Sequence, residues 1–295
     1  MRTLCVLLTL TVAVIASATD WGTLDEWIVY EDEYIFGLTS KGDGKIYLTS
    51  YSFDYDPVQV WRYSADGTFE GIELTVVGGG YSASGLCYIN DGSVGGEMWL
   101  IGGLTSNIVY IVDSSGNDLG AFAAPATWDN IHGIAYNPDN DLLYLSYSPD
   151  VTLSGSVAWD TFTGPGFTPS WTESTSTDTF SGLSYGDVGG AKYLFAMRRD
   201  RVSYWDSMVY IWTLDGSGLP TDIYIPDDII AFGDDYMPVP GNIYWDGDYL
   251  WVNNQNHSDP DVLEDAIAEI WLNGYSPGDT NITPASLGHI KAQFK

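Results

Sequence analysis

Basic residues are scarce in this sequence: ten Lys and Arg stand against 40 Asp and Glu, a net charge of −30 over 295 residues. Such a chain repels nucleic-acid phosphates and anionic lipid headgroups, so nucleic acid is excluded as a partner. Cysteine is almost absent, with Cys5 and Cys87 alone, and no zinc-binding pattern can be drawn through it. Serine elbows, phosphate-binding glycine loops and dinucleotide fingerprints are also missing. The triplet Gly78–Gly80 reads as a turn between repeats. Few Lys and Arg, 33 Gly and short alternating apolar runs argue against a helical protein.

One long apolar run exists, at the very start. Arg2 precedes Leu4 to Ile15, followed by Ala16-Ser17-Ala18, a small-x-small cleavage pattern. This reads as a secretory signal peptide over residues 1–18. The run is short for a membrane span, and no later segment is long and apolar enough to cross a bilayer. The expected mature chain is therefore exported, to the cell exterior or a periplasm, without a membrane span. It keeps nine basic residues against 40 acids, a net charge of −31, and one cysteine, Cys87, so no internal disulfide can form. With 277 residues rich in Trp and Tyr it can build a core without one.

What the sequence does have is a cadence. Gly-apolar-x-Tyr occurs at Gly85, Gly133 and Gly182, with looser forms at Gly37 (GLTS) and Gly241 (GNIY). The spacings are 48, 48, 49 and 59 residues. After each comes a turn rich in Asp, Asn and Gly, then a strand with an aromatic near its start, a variable loop and a third strand such as VQVWRYS or MVYIWTL. A fourth strand, as in EGIELTV, LGAFAAP and TDIYIP, closes most units. Four antiparallel strands in each period of about 45 residues are the mark of a propeller blade. The predicted fold is all-β: a five-bladed β-propeller with four-stranded antiparallel blades over residues 19–275. The fifth unit lacks a fourth strand, and the orphan strand Asp25 to Glu31 is expected to supply it, closing the last blade with the N-terminus. Residues 276–295 form a separate tail. Recurrent aromatics such as Tyr47, Trp99, Tyr144, Tyr193 and Trp251 are read as packing between blades.

These repeats resemble the β-propeller superfamily, in particular secreted bacterial propellers of the YVTN and NHL types. YIFGLTSKGDGKIYLTSY (residues 34–51) also faintly resembles the first blade of five-bladed glutaminyl cyclases. The Gly-x-Tyr-Gly feature that would follow there is absent, as is the Asn-Asp-Pro-Asn motif of invertase-group glycosidases. The resemblance implies a fold and leaves function open, since propellers host unrelated activities.

Four residues before each repeat glycine stand Glu33, Tyr81, Asp129, Asp178 and Met237. On innermost strands these positions would meet at one mouth of the axial channel. Three carboxylates there, Glu33, Asp129 and Asp178, are rim acids in an acidic chain, or ligands for a hard cation such as Ca²⁺, or an acid–base set of raised pKa. No cofactor is required. His132, just before Gly133, could shuttle a proton, ligate a metal or cap the mouth with a hydrogen bond. Arg198, Arg199 and Arg201 form a basic spot, expected in the loop after the second strand of the fourth blade and suited to an anionic glycan or carboxylates. With Tyr81 and His132 they are the candidate ligand-binding residues. The function these features favour is a secreted, non-enzymatic binding module for a glycan, a cell-surface component or a protein partner. The alternative is a carbohydrate-active or cyclase-like enzyme using Asp129, Asp178, Glu33 and His132.

Overall fold

The computed structural model describes residues 21–29, 34–51, 57–76, 83–91, 96–103, 106–124, 131–147, 152–158, 172–174, 178–188, 190–200, 207–224, 240–247, 249–254 and 265–272. The expected signal peptide and the tail 276–295 lie outside them. Among the described residues all regular structure is strand, arranged in four-stranded antiparallel sheets. The first sheet runs β2 (Tyr34–Thr39), β3 (Lys45–Tyr51), β4 (Gln59–Ser64), β5 (Phe69–Thr75). The second is β6 (Ala83–Asp91), β7 (Gly96–Gly103), β8 (Ile108–Asp113), β9 (Asp118–Ala123). The third is β10 (Gly133–Asn137), β11 (Leu142–Tyr147), β12 (Thr152–Ala158), β13 (Thr172–Ser174). The fourth is β14 (Asp178–Val188), β15 (Ala191–Asp200), β16 (Ser207–Leu214), β17 (Pro220–Tyr224). The last holds β18 (Pro240–Trp245), β19 (Leu250–Asn254) and β20 (Asp265–Leu272), and its fourth strand is β1 (Trp21–Val29) from the start of the chain. Trp27 pairs with Ile267 and Gly22 with Trp271, so head and terminus of the repeat region share one ladder.

The first four sheets are meanders, and in the first, second and fourth a recurrent turn links the two outer strands. In Ser64–Gly67, Asp113–Gly116 and Asp215–Gly218 the glycine amide returns to the carbonyl of the first residue at 3.0 Å. The three glycines sit at φ of 81–82°, a left-handed conformation that costs a glycine little. In the third of these turns the left-handed residue is Gly218, two past the Asp215-Gly216 pair that marks the turn in the sequence.

The sheets stack face to face through their alternating side chains, and the core lies in the seams between them. Tyr47, Leu86 and Trp99 fill the first seam, and Tyr144, Phe180 and Tyr210 the third. Trp251 of the last sheet packs with Ile35, Leu38 and Trp61 of the first. Ring pairs such as Tyr47–Trp99 (centroids 5.3 Å apart) and Phe180–Tyr210 (5.2 Å) are edge-on. Such pairs add about 0.5–1.5 kcal/mol each beyond area burial. The recurrent aromatics with described side chains therefore serve as packing between sheets.

The first strands of successive sheets lie against one another, β2 on β6, β6 on β10, β10 on β14, β14 on β18, and β18 on β2. The repeat glycines make this approach fit. A Cβ on Gly37 would stand 2.6 Å from Leu86 Cβ, one on Gly133 2.7 Å from the Leu183 amide nitrogen, and one on Gly182 2.5 Å from Asn242 Cα.

Two expectations need correction. The fifth repeat core is one residue later than its letters suggest: Gly182 faces Asn242 and Ile243 as Gly133 faces Gly182 and Leu183. Asn242 thus holds the glycine position, Ile243 the apolar one and Trp245 the aromatic one. The irregular register between Pro240 and Ile243 absorbs the extra residue. In the third sheet, the letters SVAWDTF, the counterpart of VQVWRYS in the first unit, suggest a third strand that begins at Ser156; the strand is Thr152–Ala158. Tyr147 pairs with Thr152, with four residues between them in the chain, and thirteen residues separate β12 from β13.

Gly182→Ala should lower stability by about 1–3 kcal/mol, the usual cost of overpacking a tight seam. Gly216→Ala, with nothing within 4 Å of the added carbon, should change it by less than about 0.5 kcal/mol. Urea-unfolding midpoints of the two variants check this.

Candidate functional site

A cavity of about 330 Å³ lies where the five first strands converge, lined from β2, β6, β10, β14 and β18. Its wall begins one residue past each of the four repeat glycines, and two past Asn242, and runs toward the C-terminal ends of these strands. Three residues past the glycine position stand Ser40, Tyr88, Tyr136, Tyr185 and Trp245, and all five line the cavity. Four of the five are aromatic. They form a collar with one gap, at Ser40.

Each aromatic of the collar is tied back at its polar edge. Tyr136 donates its hydroxyl to Asp141 at 2.5 Å. The tight turn after β10 makes this reach, with Asp141 at φ 58°, a left-handed conformation that aspartate tolerates. Tyr185 donates to Asp139 at 2.8 Å, and Tyr88 bonds Glu97. Trp245 donates its indole N–H to the Asp187 carbonyl at 3.3 Å. Its ring stacks on Phe195, and Gly186 leaves room for it: a Cβ there would stand 2.7 Å from Trp245 Cδ1. Burial, then the acid partner, holds the Tyr88 and Tyr185 hydroxyls well above the usual phenol pKa. They stay protonated donors throughout the physiological range.

The carboxylates behind the collar are in turn engaged. Lys192 Nζ lies 2.6 Å from both Asp139 and Asp187. Its hydrogen bond, then that from Tyr185, pulls the Asp139 pKa below the ordinary range. At the gap, Lys41 is ion-paired with Glu73, which also takes Arg62 at 2.8 Å. Its ammonium sits 5.1–5.3 Å from the ring centroids of Tyr47, Tyr88 and Trp99, within cation–π range. Among the described lining residues there is one lysine and no carboxylate, in a chain that carries 40 acids.

Of the residues singled out from sequence, those that are described do not line the cavity. Asp178 opens β14, at the end of its first strand away from the collar. Glu33, Tyr81, Asp129 and Arg201 lie outside the described residues. His132 is half-buried just before β10, and its amide donates to the Ser146 carbonyl at 2.9 Å. Arg198 and Arg199 are not in a loop: they belong to β15, paired with Phe180 and Thr179. β14 starts four residues before Gly182 and so gives them ladder partners. That register brings Asp178, Arg198 and Arg199 to one end of one hairpin. Among the described residues no group of three His, Cys, Asp or Glu is placed to hold a metal ion.

The collar was visible in the letters as the Tyr of Gly-apolar-x-Tyr, but there it counted as repeat signature. Trp245 escaped because the fifth core was aligned on Gly241 instead of Asn242. Lys41 carried no signal beyond its rarity.

No family model matches the sequence, and no curated protein matches it. Solved structures do. A thermostable family-43 glycoside hydrolase aligns with a TM-score of 0.54 at 15% identity, over 84% of this chain and 90% of that one. An engineered family-43 glycoside hydrolase with endo-xylanase and exo-arabinofuranosidase activity gives 0.50 at 12% identity, over 83% of this chain and 51% of that one. The chain thus spans about half the length of that enzyme. A DUF4221 protein from Bacteroides vulgatus gives 0.42 at 8% identity, over 85% of this chain and 98% of that one. The two glycoside hydrolases, with the sheet arrangement above, define the class: the chain is a β-propeller.

Cys87 also lines the cavity, yet only 7% of its surface is exposed. Burial pushes its thiol up to about 12. At pH 8 the native protein should therefore react with a disulfide reagent far more slowly than the urea-unfolded chain, and absorbance of the released thiolate measures both rates.

Proposed function

We propose that the protein is an exported, five-bladed β-propeller whose ring is closed by its N-terminal strand, and that it acts as a non-enzymatic binding module for a glycan at the cell exterior. The closed ring is supported by the contact of β18 with β2 and by Trp251 in the seam between the last and first sheets. The buried Asn253 side chain adds a hydrogen bond to the Ile35 carbonyl at 2.9 Å. Export is supported by the basic-apolar-small pattern of residues 1–18.

The observation that carries the binding role is the axial cavity. Concave, mostly apolar sites of ~300–1,000 Å³ with a few fixed polar groups are the usual form of a ligand pocket. This one matches in volume, in its aromatic wall and in its few polar side chains, Thr39, Ser40, Lys41, Asn90 and Ser184 among them. The collar is held by hydrogen bonds in the free protein, so little ordering cost falls on binding.

A glycan array probed with the protein lacking residues 1–18 tests the reading. Retention of at least one glycan class is the expected result. Silence on the array, with capture of a protein partner instead, would contradict the glycan assignment. Cleavage of a retained glycan would replace it with the enzymatic reading that Glu33, Asp129 and Asp178 raise.

A further inference from the structure

We infer that the collar of Tyr88, Tyr136, Tyr185 and Trp245 is itself a binding site for one uncharged sugar ring, whose polar edge faces the gap at Ser40 and Lys41. The inference rests on the glycan reading and names its site and ligand chemistry.

Three observations lead there. The first is how the phenols are committed. Tyr88, Tyr136 and Tyr185 give their hydroxyls to Glu97, Asp141 and Asp139. Each phenol has one proton to donate, and that proton is spent outside the cavity. What the collar offers a ligand is therefore aromatic carbon. Aromatic walls favour a ligand with an apolar face, which a sugar presents through its C–H groups.

The second is charge. The described lining holds Lys41 and no carboxylate. The acids nearest the collar are taken up by phenols and lysines. A cationic ligand would find no counter-charge in the wall and a lysine already seated on three of the neighbouring rings.

The third is the asymmetry of the ring. Four walls are aromatic and the fifth is serine. Ser40 is hydrogen-bonded to the half-buried Tyr244 and accepts the Gly42 amide at 3.1 Å. With Lys41 beside it, this wall is where hydroxyls of a ligand find partners. A sugar ring has that division: a C–H face for the rings and a hydroxyl edge for the gap. The cavity volume, at the low end for ligand sites, suits a terminal or single ring rather than an internal stretch of polymer.

The test is calorimetric titration of the protein lacking residues 1–18 with methyl glycosides of glucose, galactose and xylose, the methyl glycoside of glucuronic acid, and choline. At least one neutral glycoside should bind, and choline should not. Tyr136→Ala should weaken binding about tenfold, as expected for loss of one aromatic wall. Tyr136→Phe, which keeps the ring and loses only the bond to Asp141, should stay within about threefold. Trp245→Phe gives a second reading at a wall that stays aromatic and should also bind. Urea midpoints of the variants separate lost binding from lost folding. Binding of choline alone overturns the inference, as does unchanged affinity in Tyr136→Ala or an equal loss in Tyr136→Phe. If the glycan array is positive while collar variants bind normally, the collar assignment falls and the binding-module reading stands. If the array and all titrations are silent, both fall.

Discussion

The first strands of successive sheets approach one another too closely for side chains to stand between them, and the rest of the structure is arranged around that approach. Gly37, Gly133 and Gly182 each face the backbone or Cβ of the next first strand at distances where a side chain cannot stand, and Gly85 faces the Ile134 side chain and the His132 carbonyl. Neighbouring sheets that touch so tightly at their inner edges must splay outward, and large side chains fill the widening seams. Hence aromatics such as Trp99, Tyr144 and Trp251 recur on the strands next to the glycines and are almost fully buried. Where the last sheet supplies Asn242 in place of glycine, the seam is adjusted by polar contacts. Asn253 accepts the Asn242 amide and reaches the Ile35 carbonyl.

The same convergence makes the cavity. Past the glycine layer, equivalent positions of five strands point to one space, and the chain repeats an aromatic there. The negative charge of the protein is kept off that wall. Carboxylates nearby act as acceptors for phenols or as partners for Lys41 and Lys192. The result, among the described residues, is an aromatic surface with one lysine and no carboxylate inside an acidic molecule. A rigid frame with pre-tied rings suits recognition of a small uncharged group, and it leaves the long connections of the chain free to vary.

Much of this could be read from the letters, because the physical demands repeat. The glycine period located the first strands, and the Asp- and Gly-rich turns located the hairpins. The missing strand of the last unit pointed to the orphan stretch Asp25 to Glu31, and the strand that pairs with β20 is Trp21–Val29, which begins four residues earlier. The failures share one cause: pairing that letters do not carry. Gly241 stands beside Asn242, and only the contact with Gly182 shows which of the two occupies the tight position. Arg198 and Arg199 looked like loop residues because nothing in their sequence shows that β14 extends back to Asp178. The short β13 has no alternating pattern to announce it. Tyr88, Tyr136 and Tyr185 were seen but taken as signature, since the bonds of Tyr88 to Glu97 and Tyr136 to Asp141 close through hairpins and that of Tyr185 to Asp139 crosses from the fourth sheet to the third.

The most direct test of the closed ring is urea unfolding of the protein with residues 19–30 removed, compared with the chain that retains them. A ring latched by the pairing of Trp27 with Ile267 should lose several kcal/mol, and its cooperative transition should shift to clearly lower urea. An unchanged midpoint and slope would mean that the N-terminal strand latches nothing, and that the sheets stand without closure.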